Sequence, residues 1–320
     1  MDLGRQSRRA VLAAGVSGVV AGVVSGRQAP AQTPPAAQPQ PAGAVSQDEA
    51  LPSVLKVSIA GYSFREYLDK AGVDGRPGTP GKMSLFDLAD MAARWQIDAI
   101  EPTSYYFLKD DDEYIIALKR RVFLNGLEIS GTSVGNNFCL PSGPELTKQI
   151  DWVKKWVDIC VKLGSPAMRI FAGQPDKSRS REQIFKTLVD AMKAAADYAG
   201  AHGIFLGIEN HGFMTETADD VIRIVDAAKH DWLRVNLDNG NFKKDTYAQF
   251  AKLAPLAVIC QLKVQVYTPE GQREPADFNR LAQILRAAKY RGYVSLEYEG
   301  QDPHQQVPEV LKKIQAAVRT

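Results

Sequence analysis

Cysteine is scarce in this chain, and the scarcity narrows the possibilities. Only Cys139, Cys160 and Cys260 occur in 320 residues, widely spaced. They make neither a disulfide framework nor a zinc-ligand pattern, and they read as buried thiols. A charge bias is also missing: the formal net charge is +2, and no long basic run occurs past the N-terminus. Nothing therefore argues for nucleic acid or a membrane surface as a partner. No Gly-x-Gly-x-x-Gly follows any strand candidate, which speaks against a dinucleotide-binding open sheet. No phosphate-cradling glycine-rich loop is evident near the end of the chain either.

The N-terminus is unlike the rest. Arg8 and Arg9 precede an apolar run from Ala10 to Val24. That run is short and rich in small residues, so a signal peptide over residues 1–31 fits better than a membrane span. Ser7-Arg8-Arg9-Ala10-Val11-Leu12 resembles the twin-arginine export consensus, with Ala10 and Val11 as departures. Cleavage after Ala31 is expected, with an uncleaved anchor as the alternative. Residues 32–52, rich in proline, alanine and glutamine, read as a disordered linker. The expected location is the periplasm or the exterior.

From residue 53 to the C-terminus the chain alternates apolar strands with longer helical patterns. The strand candidates are "LKVSIAGYSF", "IDAIEP", "LEISGTSV", "AMRIFAG", "FLGIEN", "LRVNLD", "VICQLKVQV" and "YVSLEYE". Ser84, Ser142, Ser180 and Thr217, each followed three residues on by Asp, Glu or Gln, predict helix starts. Gly164, Gly203 and Gly292 predict helix ends. Eight strand-helix units in about 265 residues predict an α/β fold, a single (β/α)8 TIM barrel.

The last four strands carry polar groups on one face. Glu209 and His211, Asn236 and Asp238, Gln261 and Lys263, and Ser295, Glu297 and Glu299 alternate with apolar residues. One such strand is chance; four neighbouring ones predict a site at the barrel mouth, since buried charge must be paired or metal-bound. Glu209, Asp238 and Glu297 are hard oxygen ligands suited to Mn2+ or Mg2+. The competing reading is that each pairs with Lys263, Arg234, Arg169 or a backbone amide.

"LGIENHG", "VNLDNGN", "QLKV" and "VSLEYEG", in that order, resemble the xylose-isomerase-like TIM barrels, the sugar isomerase and epimerase superfamily. The resemblance runs from about Val54 to the C-terminus and is strongest in the last four strands. It implies one divalent metal ion held by Glu209, Asp238, Gln261 and Glu297, with Mn2+ or Mg2+ favoured. Gln261 stands where the family pattern has histidine, so a metal-free relative stays open, and Gln265 is an alternative ligand on the same strand. Members of the endonuclease IV type hold three metals with many histidines; four histidines and no basic surface exclude that branch.

The resemblance also implies an activity: proton transfer next to a sugar carbonyl through an enediolate, with Glu209 and Glu297 as the carboxylates. Lys263 and His211 are further catalytic candidates, with a salt bridge and a loop tie as their structural alternatives. Arg169, Asn136 and Tyr62 are candidate substrate-binding residues, and Phe64, Asn137, Phe171 and Trp232 candidate wall residues. An exported enzyme meets free or oxidised sugars and glycosides rather than sugar phosphates. A small-molecule sugar or keto-sugar is thus the expected partner. A lyase acting on 3-keto-glycosides and a carbohydrate-binding barrel without catalysis are the alternatives.

Overall fold

A computed structural model describes residues 51–72, 78–175 and 178–319. The signal peptide and nearly all of the linker lie outside the described residues. Among the described residues eleven strands and eight α-helices follow in order. The first strands are β1 (Val54–Ala60), β2 (Ala99–Glu101), β3 (Glu128–Ile129), β4 (Thr132–Ser133) and β5 (Ala167–Ile170). Then come β6 (Phe205–Glu209), β7 (Leu233–Asp238), β8 (Ala257–Leu262) and β11 (Arg291–Leu296), with the pair β9 (Gln265–Tyr267) and β10 (Arg273–Pro275) between the last two.

Nine of these strands form one parallel sheet in the order β3-β2-β1-β11-β8-β7-β6-β5-β4. The two ends of that order are consecutive in the chain. β3 pairs with β2, β4 pairs with β5, and only Ser130 and Gly131 separate them. A bridge between Thr103 and Ser133 adds to the join. The third barrel strand is thus one strand in two halves, and the sheet curls into the predicted eight-membered barrel.

The helices α1 (Leu85–Arg94), α2 (Asp112–Leu124), α3 (Pro144–Leu163), α4 (Arg181–Ala201), α5 (Ala218–Ala228), α6 (Thr246–Leu253), α7 (Phe278–Ala287) and α8 (Pro303–Arg319) alternate with the barrel strands. Capping boxes at Ser84, Ser180 and Thr217 start α1, α4 and α5 as expected. Ser142 does not cap α3. Gly143 takes that place with φ 148°, a conformation for glycine alone, and Pro144 follows at the first helical position, where its missing N–H costs nothing. Gly164 and Gly203 take positive φ at the ends of α3 and α4. Gly292 instead lies inside β11, and Lys289, with φ 57°, makes the left-handed turn after α7.

Strand alternation sorts the side chains. Leu206 and Ile208, Val235 and Leu237, Cys260 and Leu262, and Val294 and Leu296 are buried on the helix side. Their neighbours point into the barrel, as a period of two requires. All three cysteines are buried free thiols. Among the described residues no helix is long and apolar enough to cross a membrane.

The expected strand over residues 258–266 is broken. β8 ends at Leu262, Lys263 and Val264 lie outside any strand, and β9 pairs antiparallel with β10 away from the barrel. Gln265 is consequently exposed on β9, which removes it from the candidate ligands.

Candidate active site at the barrel mouth

The inward polar groups form two levels. The lower level is neutral-polar around one carboxyl. Glu101, at the end of β2, accepts hydrogen bonds from Ser133 Oγ (2.8 Å) and Gln261 Nε2 (2.6 Å). Burial raises the Glu101 carboxyl above its ordinary range. Asn236 Nδ2 in turn donates to Gln261 Oε1 at 2.8 Å. Both ends of the Gln261 amide are therefore engaged inside the barrel.

The upper level is ionic. Glu209 ends β6, Asp238 ends β7, and Glu297 follows β11; all three are buried. Arg169 of β5 faces Glu209, Nε to Oε2 at 3.0 Å, and its guanidinium lies 3.8 Å from the centre of the Phe171 ring. Asn241 Nδ2 donates to Glu209 Oε1 at 2.7 Å. Lys263 Nζ stands 3.0 Å from Glu297, 3.3 Å from Asp238 and 3.1 Å from Glu299. It also donates to Asn241 Oδ1 at 3.2 Å, so Asn241 links the two ion-pair groups.

Burial drives the titration of this level. Glu209 is pushed up to about 8, chiefly by desolvation, against the lowering pull of Arg169. Asp238 is raised to about 6 for the same reason, against the pull of Lys263. The Lys263 ammonium is held well above its ordinary value: the surrounding carboxylates outweigh its own desolvation.

Local sequence explains how the lysine is placed. Asn239 Oδ1 accepts from Lys263 N (2.7 Å), and Asn239 Nδ2 donates to Lys263 O (3.2 Å) and Gln265 O (3.1 Å). Gly240 N donates to Asp238 Oδ1 at 2.7 Å. A Cβ at position 240 would meet Lys263 Cδ at 2.5 Å, so only glycine lets the lysine stem pass. Neither Asn239 nor Asn241 had been singled out from the sequence. Their signal was the "DNGN" run after β7, polar and turn-forming where a barrel strand ends.

The other candidates divide. Tyr62 is half-buried near Glu297 and Lys263, and burial raises its phenol above the ordinary value. His211 lies at the rim with its ring 4.9 Å from the Phe171 ring. Its pKa is lowered by partial desolvation and by the Lys263 and Arg169 charges, so it is neutral at physiological pH. Its backbone is tied to Thr215 in both directions, the loop tie expected as an alternative. Asn136 is tied to the backbone of Phe171. Its Nδ2 donates to Phe171 O and its Oδ1 accepts from Phe171 N, both at 2.8 Å. Phe64 is fully buried beside Trp95. Trp232 precedes β7, at the opposite end of the barrel, and packs on Phe205. Arg234 lies near that end too, and the pairing falls to Lys263 and Arg169. A cavity of about 270 Å³ at the mouth is lined by Tyr105, Asn136, Asn137, Phe171, Gln174 and His211. A larger one of about 1080 Å³ shares Tyr105 and Gly135 with it.

A model of the xylose isomerase-like TIM barrel family matches residues 89–317. The chain belongs to that family. A D-psicose 3-epimerase solved with D-fructose is 13% identical; the match covers 82% of this chain and 97% of that one, with a TM-score of 0.65. The 3-keto-D-glucoside 4-epimerase YcjR of E. coli is 14% identical over 82% of this chain and 99% of that one, with a TM-score of 0.60. A family member from Mycobacterium smegmatis, solved in complex with magnesium, is 17% identical over 82% and 97%, with a TM-score of 0.58. At such identities the likeness is one of fold. No curated protein sequence matches the chain.

The expected metal quartet can be tested on these residues. A divalent ion needs oxygens about 2.0–2.6 Å away on several sides. Among the described residues no cluster of three His, Cys, Asp or Glu side chains is arranged to hold one. Gln261 spends its amide oxygen on Asn236, Glu209 faces Arg169 and Asn241, and Asp238 and Glu297 converge on the Lys263 ammonium. Asp238 Oδ2, which lacks a hydrogen bond, faces that ammonium at 3.3 Å. As arranged, the donor set does not fit the ion.

Proposed function

We propose that the chain is a sugar isomerase or epimerase that moves a proton beside a carbonyl, with Glu209 and Glu297 as the two proton-carrying groups. The observation that carries the reading is the pair of buried carboxyl groups at the mouth, each held by its own cation. Burial pushes Glu209 up to about 8, so it holds a proton more readily than an exposed carboxyl and can donate it. Glu297, 3.0 Å from the Lys263 ammonium, is placed to accept one.

The step balances without a further reagent. The proton on the carbon next to the carbonyl passes to the Glu297 carboxylate. The C–H electron pair forms the new C=C bond, and the carbonyl π pair ends on oxygen as an enediolate. The Glu209 carboxyl then gives its proton to carbon, and solvent restores both groups. Donors fixed in a buried site stabilise the charge on oxygen far better than water would. Lys263 and Tyr62 line that place, and His211, neutral at the rim, is suited to bonding a sugar hydroxyl.

The substrate we infer is a free or oxidised sugar, since the twin-arginine pattern, outside the described residues, points to export. The fold neighbours named for D-psicose and a 3-keto-D-glucoside are of this chemical kind. The larger adjoining cavity favours one further reading, a lyase whose leaving group occupies it. Incubating ketoses and 3-keto-glycosides with the protein in D2O tests both: the carbon next to the carbonyl gains deuterium, and only the lyase releases the glycosidic partner. Glu297→Gln abolishes the exchange. Tight sugar binding without exchange in the wild type would overturn the enzymatic reading in favour of a binding barrel.

A further inference from the structure

A divalent ion in this barrel would have to sit among the carboxyl groups that end β6 and β7 and follow β11. The chain's own cations already engage those groups, Arg169 at Glu209 and Lys263 at Asp238 and Glu297. Lys263 Nζ has Glu297, Glu299, Asp238 and Asn241 oxygens all within 3.0–3.3 Å. An ion at coordination distance from the same oxygens would touch the ammonium, and like charges at contact repel strongly.

The lysine is built in rather than fallen in. Asn239 clamps its backbone on both sides. Gly240 clears the path of its stem. The residue expected to complete an ion's shell, Gln261, is committed below to Glu101 and Asn236. Charge supplies an independent argument. Arg169 on Glu209 and Lys263 on Asp238 and Glu297 set two positive charges against three carboxyl positions. One divalent ion would set the same two.

We propose that Lys263, with Arg169 beside it, replaces the divalent ion, so that this site polarises a sugar carbonyl without a metal. The inference rests on the proton-transfer reading above. In it the ammonium donates a hydrogen bond to the oxygen that takes the enediolate charge. It keeps its protons throughout, while the carbon's proton goes to Glu297.

The test is ion uptake by the full chain, which needs no substrate. Protein dialysed against EDTA is titrated with MnCl2, free Mn2+ is followed by its EPR signal, and the Tm is read in parallel. The wild type takes up no stoichiometric Mn2+, and neither EDTA nor Mn2+ moves its Tm. Lys263→Met removes the charge and keeps the stem; it takes up Mn2+, and Mn2+ then raises its Tm by linkage. Gly240→Ala, which pushes the stem aside, serves if Lys263→Met does not fold. Stoichiometric uptake by the wild type at micromolar Mn2+ overturns the inference. Failure of both folded variants to bind Mn2+ overturns the assignment of the ion's place to Lys263. The proton-transfer reading stands or falls separately, on deuterium exchange.

Discussion

Replacing Lys263 with methionine tests the electrostatics of the mouth most sharply. The ammonium lies 3.3 Å from Asp238, which is fully buried, and 3.0 Å from Glu297. At an effective dielectric of about 20, each pair contributes roughly 5 kcal/mol of gross attraction. Most of that is offset by the cost of burying the charges, but deleting one partner leaves the others stranded. Experience with buried pairs puts that loss at about 3–5 kcal/mol. Denaturant unfolding at pH 8.5 should show it as a lower midpoint with an unchanged slope. The loss should be smaller at pH 5.5. Asp238, already raised to about 6, rises further without the ammonium and is neutral there. The control is Lys186→Met, whose partner Asp190 is exposed with it; an i,i+4 pair of that kind contributes about 0.3–0.5 kcal/mol. If Lys263→Met lost no more than this control at pH 8.5, the ammonium would not be locked among the carboxyl groups, and the reasoning would fail.

Three further outcomes follow from the same geometry. Gly240→Ala places a methyl 2.5 Å from Lys263 Cδ, and overpacking of this kind costs about 1–3 kcal/mol; turnover should fall more than stability, since the ammonium moves. Wild-type stability should fall as pH rises from about 5 to about 8, because the unfolded carboxyl groups release protons that folded Asp238 and Glu209 retain to about 6 and about 8; Glu209→Gln should flatten the upper part of that slope, measured by urea titration across the range. Asn136→Ala should cost about 1–3 kcal/mol, by stranding the Phe171 N–H and C=O it now satisfies, with little specific change in sugar affinity by calorimetry.

The barrel was legible because its evidence is local and repeated. Strand alternation at Leu206 to Glu209 and Leu233 to Asp238 shows which face packs on the helices without any knowledge of the partner strand. Capping boxes at Ser84, Ser180 and Thr217 are equally local. Failures came where two local signals compete. Ser142 loses the start of α3 to the Gly143-Pro144 pair. "CQLKVQV" alternates without interruption, yet Asn239, remote in sequence, accepts from Lys263 N and the strand ends there. The same limit governs the site. Inward residues were readable; their partners were not, because pairing is settled in three dimensions. Asn136 has the donors and acceptor of a sugar-binding residue, but its amide is also tied to Phe171 N and O. Gln261 aligns with a family ligand position, but Glu101, 160 residues away, engages its nitrogen.

The central claim is proton transfer beside a sugar carbonyl, and isotope exchange reads it directly. The full chain is incubated in D2O with a panel of ketoses and 3-keto-glycosides, and deuterium at the carbon next to the carbonyl is followed by NMR. Incorporation by the wild type, lost in Glu297→Gln and retained after EDTA dialysis, is the predicted result. A substrate that binds and turns over with no deuterium incorporated at that carbon would contradict the account.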